Sequence, residues 1–121
     1  MFRRVDIDSG TVFVAEQNMN NSLCRITILF DDSVFSVIHL RFARLDNVAR
    51  KDKILNLFND LHGTYKLYRF FVDNDNDICA DLCYMSNGND FNAAMFFALI
   101  TTAFSQISEE VLPKVMRVMY A

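Results

Sequence analysis

The stretch Asp73-Asn74-Asp75-Asn76-Asp77 sets three carboxylates at alternate positions, the spacing with which an EF-hand calcium loop begins. Such a loop also has glycine at its sixth position, where the chain turns sharply, and a bidentate glutamate at its twelfth. Counted from Asp73, those positions are Ile78 and Tyr84, and the flanking segments read as strands rather than helices. A calcium site is therefore not expected. The same residues make a good hairpin turn, because Asp and Asn tolerate left-handed backbone and bond to their own loop. Register supports the turn. With Val72 opposite Ile78, Phe70 faces Ala80 and Tyr68 faces Leu82 on one side of the ladder. On the other side Phe71 faces Cys79, Leu67 faces Cys83, and Arg69 faces Asp81. A cross-strand ion pair of that kind stabilises a sheet by about 0.2–1 kcal/mol. A slip of one residue sets Asp81 against Phe70 and loses it.

The remaining reactive side chains assemble no familiar centre. His39 reads as a partly exposed strand residue beside Arg41, and His62 as a helix-end residue favourable to the dipole. Cys79 and Cys83 share a strand face but stand about 13 Å apart by strand rise, too far to ligate one zinc. With Cys24 they make an odd number in apolar surroundings, which predicts reduced core or sub-surface thiols and a reducing, cytoplasmic compartment. Gly10, Gly63 and Gly88 are all expected at turns or caps, leaving none for a phosphate-cradling loop. Neither an enzyme nor a cofactor is expected.

These residues sit on a chain of 121 residues, read as a single domain over 1–121 with a real core. Just over half the residues are apolar, and the net charge of −3 with scattered basic residues argues against nucleic-acid binding. The longest apolar run, Ala93 to Ile100, is too short to span a bilayer, and the start lacks a signal-peptide core. Phe2–Ile7 with Thr11–Ala15, and Leu23–Phe30 with Val34–Ala43, read as two hairpins, with 17–22 as a polar loop between them. In the fourth strand Val34, Ser36, Ile38, Leu40 and Phe42 share one side, with Phe35, Val37, His39 and Arg41 on the other.

From Val48 the period changes to that of a helix, with Ile54, Leu55, Phe58 and Leu61 on its apolar stripe and Gly63 as its left-handed cap. The acidic-turn hairpin, over Tyr65–Val72 and Ile78–Tyr84, comes next. Asp90 then starts a helix over 91–106, and Ser108 starts a further segment that Pro113 tilts. The order ββ-ββ-α-ββ-α predicts an α+β domain, an antiparallel sheet built from hairpins with helices packed on it.

The helix over 91–106 is apolar nearly all round, more than one sheet face can cover. Phe96, Phe97, Ile100 and Phe104 are the expected partner-binding residues, for a homodimer or for a protein or peptide client docking in a groove. The alternative is a small-ligand sensor with a pocket between sheet and helices, near Tyr68, Tyr84 and Met95.

The segment KILNLFNDLHGTYKLYRFFVDNDNDICADLCY, followed by a polar loop and an aliphatic helix, resembles the YbjN-type domain family, the bacterial sensory transduction regulators. The matching positions are Leu57, Asn59 and Leu61, then Phe70-Phe71-Val72, the acidic turn, and Ile78 through Leu82. The likeness covers most of the chain from Phe2 to Tyr120. It implies a fold like that of type III secretion chaperones, often dimeric, in a non-enzymatic, chaperone-like or regulatory role. Two departures stand out: the family's helix before the first strand is missing, and Asn76 occupies the usual glycine position of the acidic turn.

Overall fold

A computed structural model describes residues 2–120. It is α+β, an antiparallel sheet of six strands in the spatial order β1-β2-β3-β4-β6-β5 with helices on one face. The strands are β1 (Arg3–Ile7), β2 (Gly10–Met19), β3 (Ser22–Asp31), β4 (Phe35–Arg44), β5 (Arg69–Val72) and β6 (Asp77–Met85). Helix α1 (Lys51–Thr64) links β4 to β5 and is preceded by a single 3₁₀ turn that Asn47 caps. After β6 come α2 (Ala93–Gln106), a π-helical segment (Ile107–Val111) and α3 (Leu112–Tyr120).

The alternation along each strand decides what lies beneath the helices. Ser36, Ile38, Leu40 and Phe42 of β4 are buried, as their spacing predicts, beside Cys24, Ile26 and Ile28 of β3 and Ile78, Ala80 and Leu82 of β6. The helices return Ile54, Phe58 and Leu61 from α1, and Phe96, Ile100, Ala103, Ile107, Val111 and Val115 from the last third of the chain. Leu55, expected on the apolar stripe of α1, and Val34, expected on the buried side of the fourth strand but lying ahead of it, are exposed instead. The hairpin around the acidic turn pairs Arg69 with Asp81, Phe70 with Ala80, Phe71 with Cys79 and Val72 with Ile78, the register that ion pairing favours. Asn76 takes φ 62 there, the left-handed conformation a tight turn demands.

Several boundaries differ from expectation. The polar segment 17–22 is no loop: β2 continues to a fully buried Met19, and the chain reverses in two residues, Asn20 and Asn21, at φ 47 and 67. Two successive left-handed residues match the twist of the flanking strands, so ten-residue strands can pair to their ends. Gly63 does not cap α1. The helix runs on to Thr64, and the Tyr65 N–H closes it on the Leu61 carbonyl.

The segment after it joins the sheet only at Arg69. Tyr65 and Tyr68 are held instead by the last helices, through hydroxyl bonds to Glu110 (2.9 Å) and Gln106 (2.6 Å). Asn92, not Asp90, caps α2, accepting from the Met95 N–H at 3.0 Å. Ser108 starts no separate helix, because α2 passes into α3 through the π-helical segment. There the Leu112 N–H bonds to the Ile107 carbonyl, five residues back. The next bond in that series would run from residue 113 to Ser108, but Pro113 has no N–H. The Asn20 side chain supplies the donor, at 2.8 Å from the Ser108 carbonyl.

Candidate functional site

Helix α2 packs on β3 and β6 through Phe30 and Tyr84, while β1 at the edge of the sheet stays exposed. Phe13 on β2 and Phe30 on β3 sit on the helix face, half-buried, with Phe2 ahead of β1 beside them. Asn92 launches α2 so that Phe96 drops onto Phe30, ring centroids 5.5 Å apart, while Phe91 meets Phe30 edge-on at 6.0 Å. Phe13 meets Phe30 edge-on from the other side at 6.0 Å. Between the helix and the strands lies a cavity of about 360 Å³, lined by Phe2, Phe13, Ile28, Phe30, Phe91, Phe96 and Phe97. Every lining side chain is hydrocarbon.

A second hollow of about 250 Å³ adjoins the cavity at Phe2, where Gln17, Thr101 and Ser105 join Ile100 and Phe104. A basin of about 410 Å³ adjoins it at Phe30 and Phe91, between the 31–33 turn and the 86–88 loop. The three depressions share lining residues and make up an aromatic groove beside α2.

The four residues predicted to bind a partner divide by exposure. Phe96 (1% exposed) and Ile100 (6%) point into the core, while Phe97 (56%) stands at the groove's rim and Phe104 is half-buried at its far end. Met95 is 62% exposed on the outer face of α2, so the excess apolarity of this helix is in part surface. Of the residues named for a ligand pocket, Tyr84 lies under Phe91 and Phe96 and accepts from the Asn92 N–H, and Tyr68 is a core residue bonded to Gln106. Neither lines the aromatic cavity. Sequence reasoning missed its strand wall, Phe2, Phe13 and Phe30. The signal was the strand phase that sets Phe13 opposite Ile28.

Polar chemistry collects on the opposite face of the sheet. Asp81 accepts from Arg69 (3.1 Å) and from His39 Nδ1 (2.6 Å), so His39 carries its proton on Nδ1. Burial raises the Asp81 carboxyl, but the bonds from His39 and Arg69 outweigh it and hold the group below the usual carboxylate range. Arg69 also lies over the Phe71 ring at 4.6 Å. His62, expected to favour the helix dipole, instead accepts the Phe70 N–H at 2.8 Å and stacks on its ring.

The carboxylates of Asp73, Asp75 and Asp77 lie within 4.8 Å of one another, but Asp73 accepts the N–H groups of Asp75 and Asp77, and Asp77 pairs with Arg41 at 3.5 Å. That is the bonding of a turn. Burial pushes the Cys24 and Cys79 thiols up to about 12, while Cys83, expected in the core or just beneath the surface, is exposed.

Compared with known proteins, the chain matches no family model, no curated protein and no solved structure. Among the described residues, no helix is long and apolar enough to cross a membrane.

Proposed function

We propose that this chain is a non-enzymatic protein-binding domain whose groove between α2 and β1–β3 receives apolar side chains from a partner segment. The observation that carries this is the cavity wall, seven side chains without a polar atom, left open to the surface. A pocket for a polar metabolite holds a few placed polar groups that fix its orientation. This one offers only area, with rings arranged edge-to-face around Phe30 as aromatic anchors prefer. From Phe97 to Ser105 the helix advances about 12 Å, room for three or four extended residues.

The same reading includes membership of the YbjN-type family, a type III secretion chaperone-like arrangement, and a regulatory or chaperone-like role in the cytoplasm. In its support, the acidic turn joins two paired strands, and Asn76 adopts the positive φ for which that pattern uses glycine. A small-ligand sensor is the second reading, favoured by a cavity volume within the usual range for small molecules. Its ligand would be an apolar molecule, such as a fatty acyl chain.

Panning a library of twelve-residue peptides against the chain and its Phe97→Glu variant separates the two. Enrichment of peptides with clustered apolar residues, lost at least tenfold in Phe97→Glu, supports protein binding. No enrichment, together with a thermal shift from medium-chain fatty acids, overturns it in favour of the sensor.

A further inference from the structure

The two edges of the sheet are finished differently. At β5 the outward N–H of Phe70 is taken by His62 Nε2 at 2.8 Å, and α1 leads into that edge, so little of it is free to pair. At β1 all five residues are exposed and the strand holds no proline and no bulge; its protection against a foreign strand is charge alone, from Arg3, Arg4 and Asp6. Ile7 and Gly10 flank a two-residue turn. A pair so placed exchanges both of its backbone hydrogen bonds, and alternation along the ladder then turns the N–H and C=O groups of Arg4 and Asp6 away from β2.

Only a few registers let this edge pair with itself, because outward groups must meet outward groups. Centred on Arg4, the pairing sets Arg4 against Arg4; centred on Asp6, it sets Asp6 against Asp6. Centred on Val5, it sets each Arg4 opposite Asp6 of the other copy and Val5 opposite Val5. Arg4 and Asp6 already pair within one chain, Nε to Oδ1 at 3.1 Å, on the helix face of the strand. Across the twofold axis they would close into a ring of alternating charge. On the other face an apolar row runs across the sheet through Val5, Val12, Leu29, Val37 and Cys83. The Val5-centred register continues that row into the second copy without a break.

We infer that β1 is a homodimerisation edge, joining two copies antiparallel about Val5 into one continuous twelve-stranded sheet with all helices on the same side. The occupant is a second copy because this register pairs the strand's own Arg4 and Asp6 with each other across the axis, whereas the neighbouring registers set Arg4 against Arg4 or Asp6 against Asp6 at the axis itself. Five residues of edge make a small contact, so the dimer is weak and depends on concentration. The pairing leaves the aromatic groove open, and it does not rest on what the groove binds.

Sedimentation equilibrium from about 5 to 500 µM at low salt tests it, on the wild-type chain, Arg4→Asp, Asp6→Arg, and the variant carrying both. The wild type is expected to dimerise within that range. Each single reversal opposes like charges twice and raises the dimer Kd by about tenfold or more. The double variant restores opposite charges and returns the Kd to within about threefold of wild type. Both side chains are exposed, and circular dichroism verifies that all four proteins fold alike. A wild type that stays monomeric throughout, single reversals without effect, or a double variant as weak as the singles each overturns the inference. A wild type that is monomeric yet pairs with an extended peptide along β1 does so as well, since it makes this an edge for a foreign strand.

Discussion

The polar side chains of this protein serve its architecture, and their environments give the predictions that concern single residues. Asp81 is held below its ordinary range when folded, so its contribution is present above the unfolded value of about 4 and is lost as the pH falls below it. Asp81→Asn should cost about 1 kcal/mol at neutral pH, with the exposed Arg69 contributing the smaller share. In chemical denaturation, the gap between variant and wild type should shrink as the pH is lowered through 4. A gap of constant size would mean that the bonds to His39 and Arg69 do not stabilise the fold. The thiols differ sharply in access. Of the three, only Cys83 is exposed, so the native protein should react with one equivalent of an aromatic disulfide reagent and with three after denaturation.

At the scale of elements, one tight turn ties the sheet to its helices and another is locked against a neighbouring strand. Asn20 supplies a left-handed turn residue and also the donor for the Ser108 carbonyl at the π-helical segment. Asn20→Ala should therefore cost about 1–2 kcal/mol, and Asn20→Gly, which keeps the turn and loses only the donor, about 0.5–1 kcal/mol. Equal losses would show that one of the two roles is absent. Gly10 has a different constraint: a Cβ there would lie 2.1 Å from the Phe30 carbonyl oxygen. Gly10→Ala should cost about 1–3 kcal/mol in thermal or urea unfolding, since backbone rather than a flexible side chain must yield.

Elements fixed by local signals were legible before the structure. The acidic turn, the register of Arg69 against Asp81 and the two faces of β4 all follow from alternation and turn chemistry. The extension of β2 through Met19 was not legible, because Gln17 and Asn18 carry no apolar signal and the burial of Met19 comes from distant packing. The continuous path from α2 into α3 was hidden for a similar reason. Pro113 and Ser108 both read as a break, and the bond that keeps the helix going comes from Asn20, far away in sequence.

At the scale of the whole molecule, the all-round apolarity of α2 resolves into two populations. Phe96 and Ile100 are core, and Phe96→Ala should cost about 3–5 kcal/mol. Phe97 stands 56% exposed at the groove rim, so Phe97→Glu should change stability by no more than about 0.5 kcal/mol while removing an apolar wall. The expectation of an interacting helix, read from its all-round apolarity, could not separate exposed from buried residues, because a helix apolar on every side carries no phase. The strand wall contributed by Phe2, Phe13 and Phe30 needed the sheet order to be seen at all. A second apolar surface competes with the groove for any partner: the row from Val5 to Cys83 on the open face of the sheet. The most direct test is a residue-resolved NMR titration of the labelled chain with the tightest peptide from the panned library. The groove reading predicts shifts concentrated at Phe2, Phe13, Phe30, Phe91 and Phe97, and their loss in Phe97→Glu; shifts centred instead on Val12, Leu29 and Val37 would contradict it.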